Sequence, residues 1–185
     1  MKIERRRVAS ATVTGNTING YAVRFNERSR PLPMQSAGPD GLFVETISPA
    51  AFDRSLASER SISLFWNHDM AALPLATTRG GLTLEADEEG IAFSATLANT
   101  NQADDVRALL DSGDLDGSMS FGFVARSDEW KDDEETKYPQ RRVLSADLIE
   151  VSLVDVGAYP NAKASKSPRR ERAARILECV QNERF

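Results

Sequence analysis

Three stretches of the chain place polar residues in apolar surroundings, and the residue types are those of hydrolytic chemistry. His68 ends an apolar run and is the only histidine; imidazole is the most common general base near neutral pH. Ser118, Ser120 and Gly122 alternate with larger residues, so they share one face of a predicted strand. A serine there could be a nucleophile, with Gly122 leaving room for a substrate backbone. Glu150 interrupts another apolar strand and, if buried, needs a hydrogen-bonded or charged partner.

Serine, histidine and a carboxylate are the members of a catalytic triad: nucleophile, general base and the acid that orients the base. Alternation does not choose between Ser118 and Ser120, since both point the same way. Asp69 is an alternative acid to Glu150, but neighbouring residues of a strand point to opposite faces. The non-catalytic interpretations are a surface histidine, a tightly packed strand of small residues and a solvent-exposed glutamate. The residue pattern therefore supports the hypothesis of a triad made of a serine, His68 and a carboxylate.

Composition excludes several classes of site. The chain has 185 residues, a net charge of −5, one histidine and one cysteine, Cys179. One thiol cannot form an intramolecular disulfide, and one histidine with one cysteine cannot build a typical zinc centre, so we expect no metal site. The triad hypothesis implies no other cofactor. No apolar run approaches the ~20 residues that cross a bilayer. Residues 1–160 carry 16 basic and 25 acidic side chains, which disfavours nucleic-acid binding.

The patterning predicts a mostly-β α+β protein. Strands are expected at residues 8–13, 18–25, 43–47, 62–69, 75–79, 82–86, 91–97, 118–130, 138–145 and 148–154, and helices at 49–58, 101–111 and 168–182. A long loop is expected at 26–42. Because strands follow one another mainly through turns, we predict an antiparallel sheet curled into a closed β-barrel, with helices outside it. Residues 1–160 would be this domain, and 161–185 a basic tail.

Five blocks, in order, resemble the prohead (capsid maturation) serine proteases of tailed phages. They are Asn19-Gly20-Tyr21-Ala22, Glu45-Thr46-Ile47-Ser48-Pro49, Asn67-His68-Asp69, Met119-Ser120-Phe121-Gly122-Phe123 and Glu150-Val151-Ser152-Leu153-Val154. Two departures are visible: Ala50 stands where the family usually has Gly, and Val156-Gly157 where Pro often precedes Ala-Tyr. Neither departure touches the three candidate catalytic residues.

The resemblance implies a fold similar to the herpesvirus assemblin proteases and assigns roles to residues. Ser120 matches the nucleophile, His68 the general base and Glu150 the third triad member, with Asp69 as its rival. The loop near residues 157–158 would supply the backbone N–H that stabilises the oxyanion.

The resemblance also implies a function and a setting. The protein would be a serine endopeptidase that cleaves the scaffolding portion of the major capsid protein, and itself, inside the immature capsid in the host cytoplasm. The tail, residues 161–185, would dock on the capsid protein or be trimmed by self-cleavage. A homodimer or higher oligomer is compatible with the resemblance, and no membrane partner is expected. The alternative is a catalytically inactive, β-rich capsid assembly module.

Overall fold

The computed structural model describes residues 3–8, 11–34, 41–132 and 138–155, and these residues form eleven strands and two helices. The elements are β1 (Glu4–Val8), β2 (Thr12–Thr14), β3 (Thr17–Arg24), β4 (Leu32–Pro33), β5 (Leu42–Ile47), α1 (Asp53–Leu56), β6 (Ser63–Trp66), β7 (Ala76–Thr77), β8 (Leu82–Ala86), β9 (Gly90–Thr96), α2 (Asn101–Ser112), β10 (Ser118–Lys131) and β11 (Gln140–Val154). The prediction of a mostly-β α+β protein is confirmed.

The strands divide between two sheets that share one hydrophobic core. The larger sheet has seven strands in the order β1-β10-β11-β5-β4, and β6 and β7 extend it beside the end of β11. The smaller sheet has four antiparallel strands in the order β2-β3-β9-β8. Fully buried side chains from both sheets, such as Ile18 and Ile91 from one and Phe121 and Leu153 from the other, belong to a single cluster.

The predicted closed barrel is not supported, because neither sheet of the described residues closes on itself. The purely antiparallel pairing is also wrong: β5 and β6 both run parallel to β11, along its first and last segments. Strand alternation indicates which side chains are buried but not which strands are neighbours. The chain moves from β1 in the large sheet to β2 in the small one, and this change of sheet separates strands that a barrel would join.

The helices differ in how well the sequence predicts them. Helix α2 is found where expected: the hydroxyl of Thr100 accepts a hydrogen bond from the backbone N–H of Ala103, and Gly113 ends the helix at a φ of 78°. The predicted helix 49–58 is reduced to the single turn α1. The backbone just before α1 forms hydrogen bonds with β11 instead. Ser48 N donates to the carbonyl of Val143, and Ala146 N donates to the carbonyl of Ala51. The predicted helix 168–182 lies outside the described residues.

The long hairpin of β10 and β11 positions the candidate site. The two strands predicted at 138–145 and 148–154 are one continuous strand of 15 residues, which begins at Gln140. Met119 and Phe121 of β10 point into the core, so Ser118 and Ser120 lie on the opposite face. By the same alternation Glu150 of β11 shares that face, because it pairs with Gly122.

Within the described residues, no helix has the length and apolar character needed to span a bilayer.

Gly90 is tightly enclosed where β9 lies against β3. A Cβ added there would lie 2.0 Å from the carbonyl oxygen of Val23. We expect Gly90→Ala to lower the free energy of unfolding by about 1–3 kcal/mol, as overpacking generally does. Gly80→Ala is the matched control, since its nearest contact would be an ordinary 3.7 Å. Urea unfolding measures both; equal stability of the two variants would contradict this description of the β3–β9 contact.

Candidate active site

The carboxylate of Glu150 is completely buried and is held at both oxygens. Its Oε1 lies 2.7 Å from Nδ1 of His68. Its Oε2 accepts a hydrogen bond of 2.5 Å from the hydroxyl of Ser152. A buried carboxylate without such partners would be costly. The exposed-glutamate interpretation of the sequence is therefore wrong, and the two residues 82 positions apart are in direct contact.

A tight turn after β6 brings His68 to this carboxylate. Asn67 and His68 both have positive φ values, 49° and 60°, in the left-handed region where Asn and His are enriched among non-glycine residues. Two backbone hydrogen bonds stabilise the turn: Asn67 N donates to Leu153 O at 2.8 Å, and Asp69 N donates to Trp66 O at 3.0 Å. Because a carboxylate can only accept, Nδ1 of His68 is the ring nitrogen that carries a proton, and Nε2 is the acceptor of the neutral ring.

Asp69, the rival acid, has a different task. It is exposed, and its Oδ1 accepts hydrogen bonds from the backbone N–H groups of Ala71 at 3.1 Å and Ala72 at 3.3 Å. These bonds stabilise the turn that follows His68. The geometry thus pairs the imidazole with Glu150 and uses Asp69 locally.

Gly122 explains how Glu150 reaches across to β10. A Cβ added at Gly122 would lie 2.4 Å from Oε1 and 3.1 Å from Cδ of Glu150. The carboxylate therefore lies directly over this glycine. The sequence-based idea that Gly122 leaves room for a substrate backbone is not what the structure shows, since the Glu150 side chain fills that space.

Ser120 lies on the same face of β10, two positions from Gly122, and is completely buried. Its register partners are Arg7 on β1 and Ser152 on β11. Its hydroxyl donates a 2.9 Å hydrogen bond to the backbone carbonyl of Arg6. The structure therefore brings His68 and Glu150 into contact and places Ser120 on the adjoining strand, with its hydroxyl turned toward β1.

Ser118, the other candidate nucleophile, is also completely buried on this face. It pairs with Val154 and lies four positions from Gly122. Its hydroxyl has no hydrogen-bond partner within the part of the chain that the structure describes. Ser120 is thus the serine nearer in register to Glu150, which pairs with Gly122.

An ionic cluster anchors β1, the strand that receives the Ser120 hydrogen bond. Arg6 contacts Glu45 at 2.7 Å, and Arg141 contacts Glu45 at 3.1 Å and Glu4 at 2.5 Å. Burial raises the pKa of Glu45, against the effect of the two guanidinium groups. Burial also opposes ionisation of Glu4, but hydrogen bonds and charge from Arg141 and Arg6 lower its pKa overall.

Sequence reasoning assigned no role to Arg6, Glu45 or Ser152. Glu45 lies within an apolar strand, as Glu150 does, and this was a usable signal. The predicted oxyanion loop, residues 157–158, lies outside the described residues. Among the described residues, no group of three or more His, Cys, Asp or Glu side chains could hold a metal ion.

Comparison with known proteins identifies the family. The chain matches the family model of the caudovirus prohead serine protease over residues 2–175. No curated protein and no solved structure matches it, so the assemblin-like fold stays a prediction. Because the match spans nearly the whole sequence, the chain belongs to the caudovirus prohead serine proteases, and it is a serine peptidase.

Proposed function

We propose that this prohead protease hydrolyses peptide bonds through an acyl-enzyme, with Ser120 as nucleophile, His68 as general base and Glu150 as the acid that orients His68. The observation that carries the proposal is the 2.7 Å contact between His68 Nδ1 and Glu150 Oε1, made directly over Gly122 of the serine strand. Contact at Nδ1 leaves Nε2 to accept a proton, as in other serine hydrolases.

The reaction follows from the roles of these three groups. Nε2 of His68 takes the Ser120 proton as Oγ attacks the scissile carbonyl, and Glu150 stabilises the imidazolium that forms. The imidazolium then protonates the leaving amine, and a water molecule, activated by the same imidazole, hydrolyses the acyl-enzyme. The Ser120 hydroxyl must first turn from the Arg6 carbonyl toward His68. Such catalytic hydrogen bonds commonly tighten only when substrate is bound.

The proposed substrates are the scaffolding portion of the major capsid protein and the protease itself, cut inside the immature capsid in the host cytoplasm. Membership of the prohead protease family supports a capsid-protein substrate. Residues 1–160 would form the protease domain. The tail at 161–185, with seven basic and three acidic residues, would dock on the capsid protein or be removed by self-cleavage.

Co-expression with the major capsid protein of the same phage tests this function. We expect wild-type protease to shorten the capsid protein at its scaffolding segment, and the His68→Ala variant to leave it intact. Intact-mass spectrometry reports the cut site and any trimming at 161–185. An uncut capsid protein, or identical products with both proteases, would contradict the proposal; the first result would favour an inactive assembly module.

Gly122→Ala tests whether the carboxylate must lie over β10. The added methyl group would meet Oε1 at 2.4 Å, so the carboxylate and with it His68 must move. A displacement of about 1 Å at a reacting centre costs on the order of 10²-fold in rate, and we expect at least that loss of kcat. Gly80→Ala is again the control, measured with the same peptide. Full activity of folded Gly122→Ala would show that this arrangement is not needed for catalysis.

A further inference from the structure

We infer that Ser152 is a positioning residue for this peptidase: its hydroxyl holds Oε2 of Glu150 so that Oε1 stays on His68. This inference rests on the proposed function, because it assigns a task within the same triad. Ser152 would touch neither the substrate nor the reacting proton. It would act by fixing the orientation and the charge of the carboxylate.

The contact itself is short and fully enclosed. Ser152 Oγ lies 2.5 Å from Oε2, and both side chains have no exposed surface. The two residues are two positions apart on β11, so alternation points them the same way. Ser152 is also a central position in the sheet, paired with Ser120 on one side and with Phe65 on the other. The backbone that carries the hydroxyl is therefore well fixed.

The other groups that face Glu150 act on Oε1. His68 comes from the turn after β6, and Arg5 comes from β1 with its Nε 4.0 Å from Oε1. Arg5 is 47% exposed, so its charge is screened by solvent. From β10 the neighbour is Gly122, which has no side chain. Within the described part of the chain, Ser152 is the hydrogen-bond donor found at Oε2.

Loss of this donor has a defined chemical consequence. A buried carboxylate that loses a hydrogen bond shifts toward its protonated form, and a protonated carboxyl stabilises an imidazolium poorly. If the carboxylate stays ionised instead, its negative charge is no longer shared with the Ser152 hydroxyl and interacts more strongly with His68. The imidazolium form of His68 is then stabilised. Both routes protonate the pair at higher pH, so the acid limb of the pH–rate profile must move to higher pH.

We expect Ser152→Ala to lower kcat by roughly 10- to 100-fold, the range for a hydrogen bond to a charged group, with little change in KM. The acid limb of the pH profile of kcat should move to higher pH. Ser55→Ala is the matched control, because Ser55 is another buried serine whose hydroxyl bonds to β11, at Leu148 N. It should lower stability without moving the limb. An unmoved limb in folded Ser152→Ala would overturn the inference.

Two further measurements keep the test decisive. Threonine and valine have the same shape and differ only in the hydroxyl. Ser152→Thr should therefore keep the acid limb of the wild-type pH–rate profile, and Ser152→Val should shift that limb to higher pH. Identical pH–rate profiles for the two variants would contradict the inference. Because the chain has one histidine, ¹⁵N NMR of labelled protein reads the His68 ring without any turnover. We expect the Nδ1-protonated tautomer in wild type and a mixed population in Ser152→Ala; unchanged spectra would contradict the positioning role.

These outcomes separate the inference from the function on which it rests. If cleavage does not depend on Ser120, the proposed nucleophile is wrong, whatever the NMR spectra show. If cleavage depends on Ser120 but the Ser152 variants keep both the wild-type limb and the wild-type spectra, only the role of Ser152 is overturned.

Discussion

Ser120→Ala is expected to lower kcat for peptide hydrolysis by about 10⁶-fold, the loss typical of removing a triad nucleophile. The hydroxyl is the only group of the proposed triad that bonds covalently to the substrate. The variant should remain folded, because the alanine removes one hydroxyl whose hydrogen bond goes to the Arg6 carbonyl. Single-turnover cleavage of a peptide from the scaffolding segment measures the rate, and thermal unfolding checks the fold.

Ser118→Ala is the control for this experiment. Ser118 is as buried as Ser120 and lies on the same face, but it is two positions farther from Gly122 and the carboxylate above it. We expect Ser118→Ala to retain most of the activity. The reverse pattern, with Ser118 essential and Ser120 dispensable, would move the nucleophile to Ser118.

Glu150→Gln is expected to lower kcat by about 10⁴-fold, as the loss of the orienting carboxylate does in other serine hydrolases. An amide has nearly the same shape and can still accept a hydrogen bond from Ser152. It cannot carry the negative charge that stabilises the imidazolium, and its NH₂ group can impose the opposite tautomer on His68. KM should change little, because the two oxygens of Glu150 are occupied by His68 and Ser152 and do not bind the substrate.

Asp69→Asn distinguishes the two acids. The amide oxygen can still accept hydrogen bonds from the N–H groups of Ala71 and Ala72, so we expect activity near that of wild type. A large loss in Asp69→Asn together with a small one in Glu150→Gln would make Asp69 the third member of the triad. The same peptide assay, run for both variants over a range of pH, decides between them.

Local signals in the sequence predict individual elements well. Thr100 and Gly113 mark the two ends of α2 because a capping hydroxyl and a left-handed glycine act within a few residues. The turn residues on either side of 82–86 bound β8 in the same way. Polar residues within apolar strands draw attention to a position without deciding its burial: the sequence allows Glu150 to be exposed, or buried with a partner, and the structure shows it buried and paired with His68.

Long-range pairing is where sequence reasoning fell short. Alternation assigns a face to each residue of a strand, but it gives no partner strand, and the parallel pairing of β5 and β6 with β11 leaves no local signature. The antiparallel barrel rests on the expectation that strands joined by turns, not by helices, pair with each other. Helix α1 is short because backbone groups before it bond to β11, which no propensity reports.

The candidate site depends on such long-range geometry. His68 reaches Glu150 because β6 lies beside the end of β11 and the chain then turns through two positive φ values. The sequence identifies His68 and Glu150 as candidates. Their contact depends on the pairing of β6 with β11 and on the turn after β6, and neither can be read from the sequence. The role of Gly122 was misread for a related reason: the side chain that fills its space belongs to another strand.

Covalent labelling with a serine-directed fluorophosphonate, mapped by peptide mass spectrometry, tests the central claim most directly. The reagent reacts with a hydroxyl that an adjacent base activates, so it reports the convergence of Ser120, His68 and Glu150 without knowledge of the substrate. We predict one label, on Ser120, formed rapidly in wild type and far more slowly in His68→Ala and Glu150→Gln. Labelling of another residue, no labelling of the folded protein, or labelling of Ser120 at the same rate in all three proteins would contradict it.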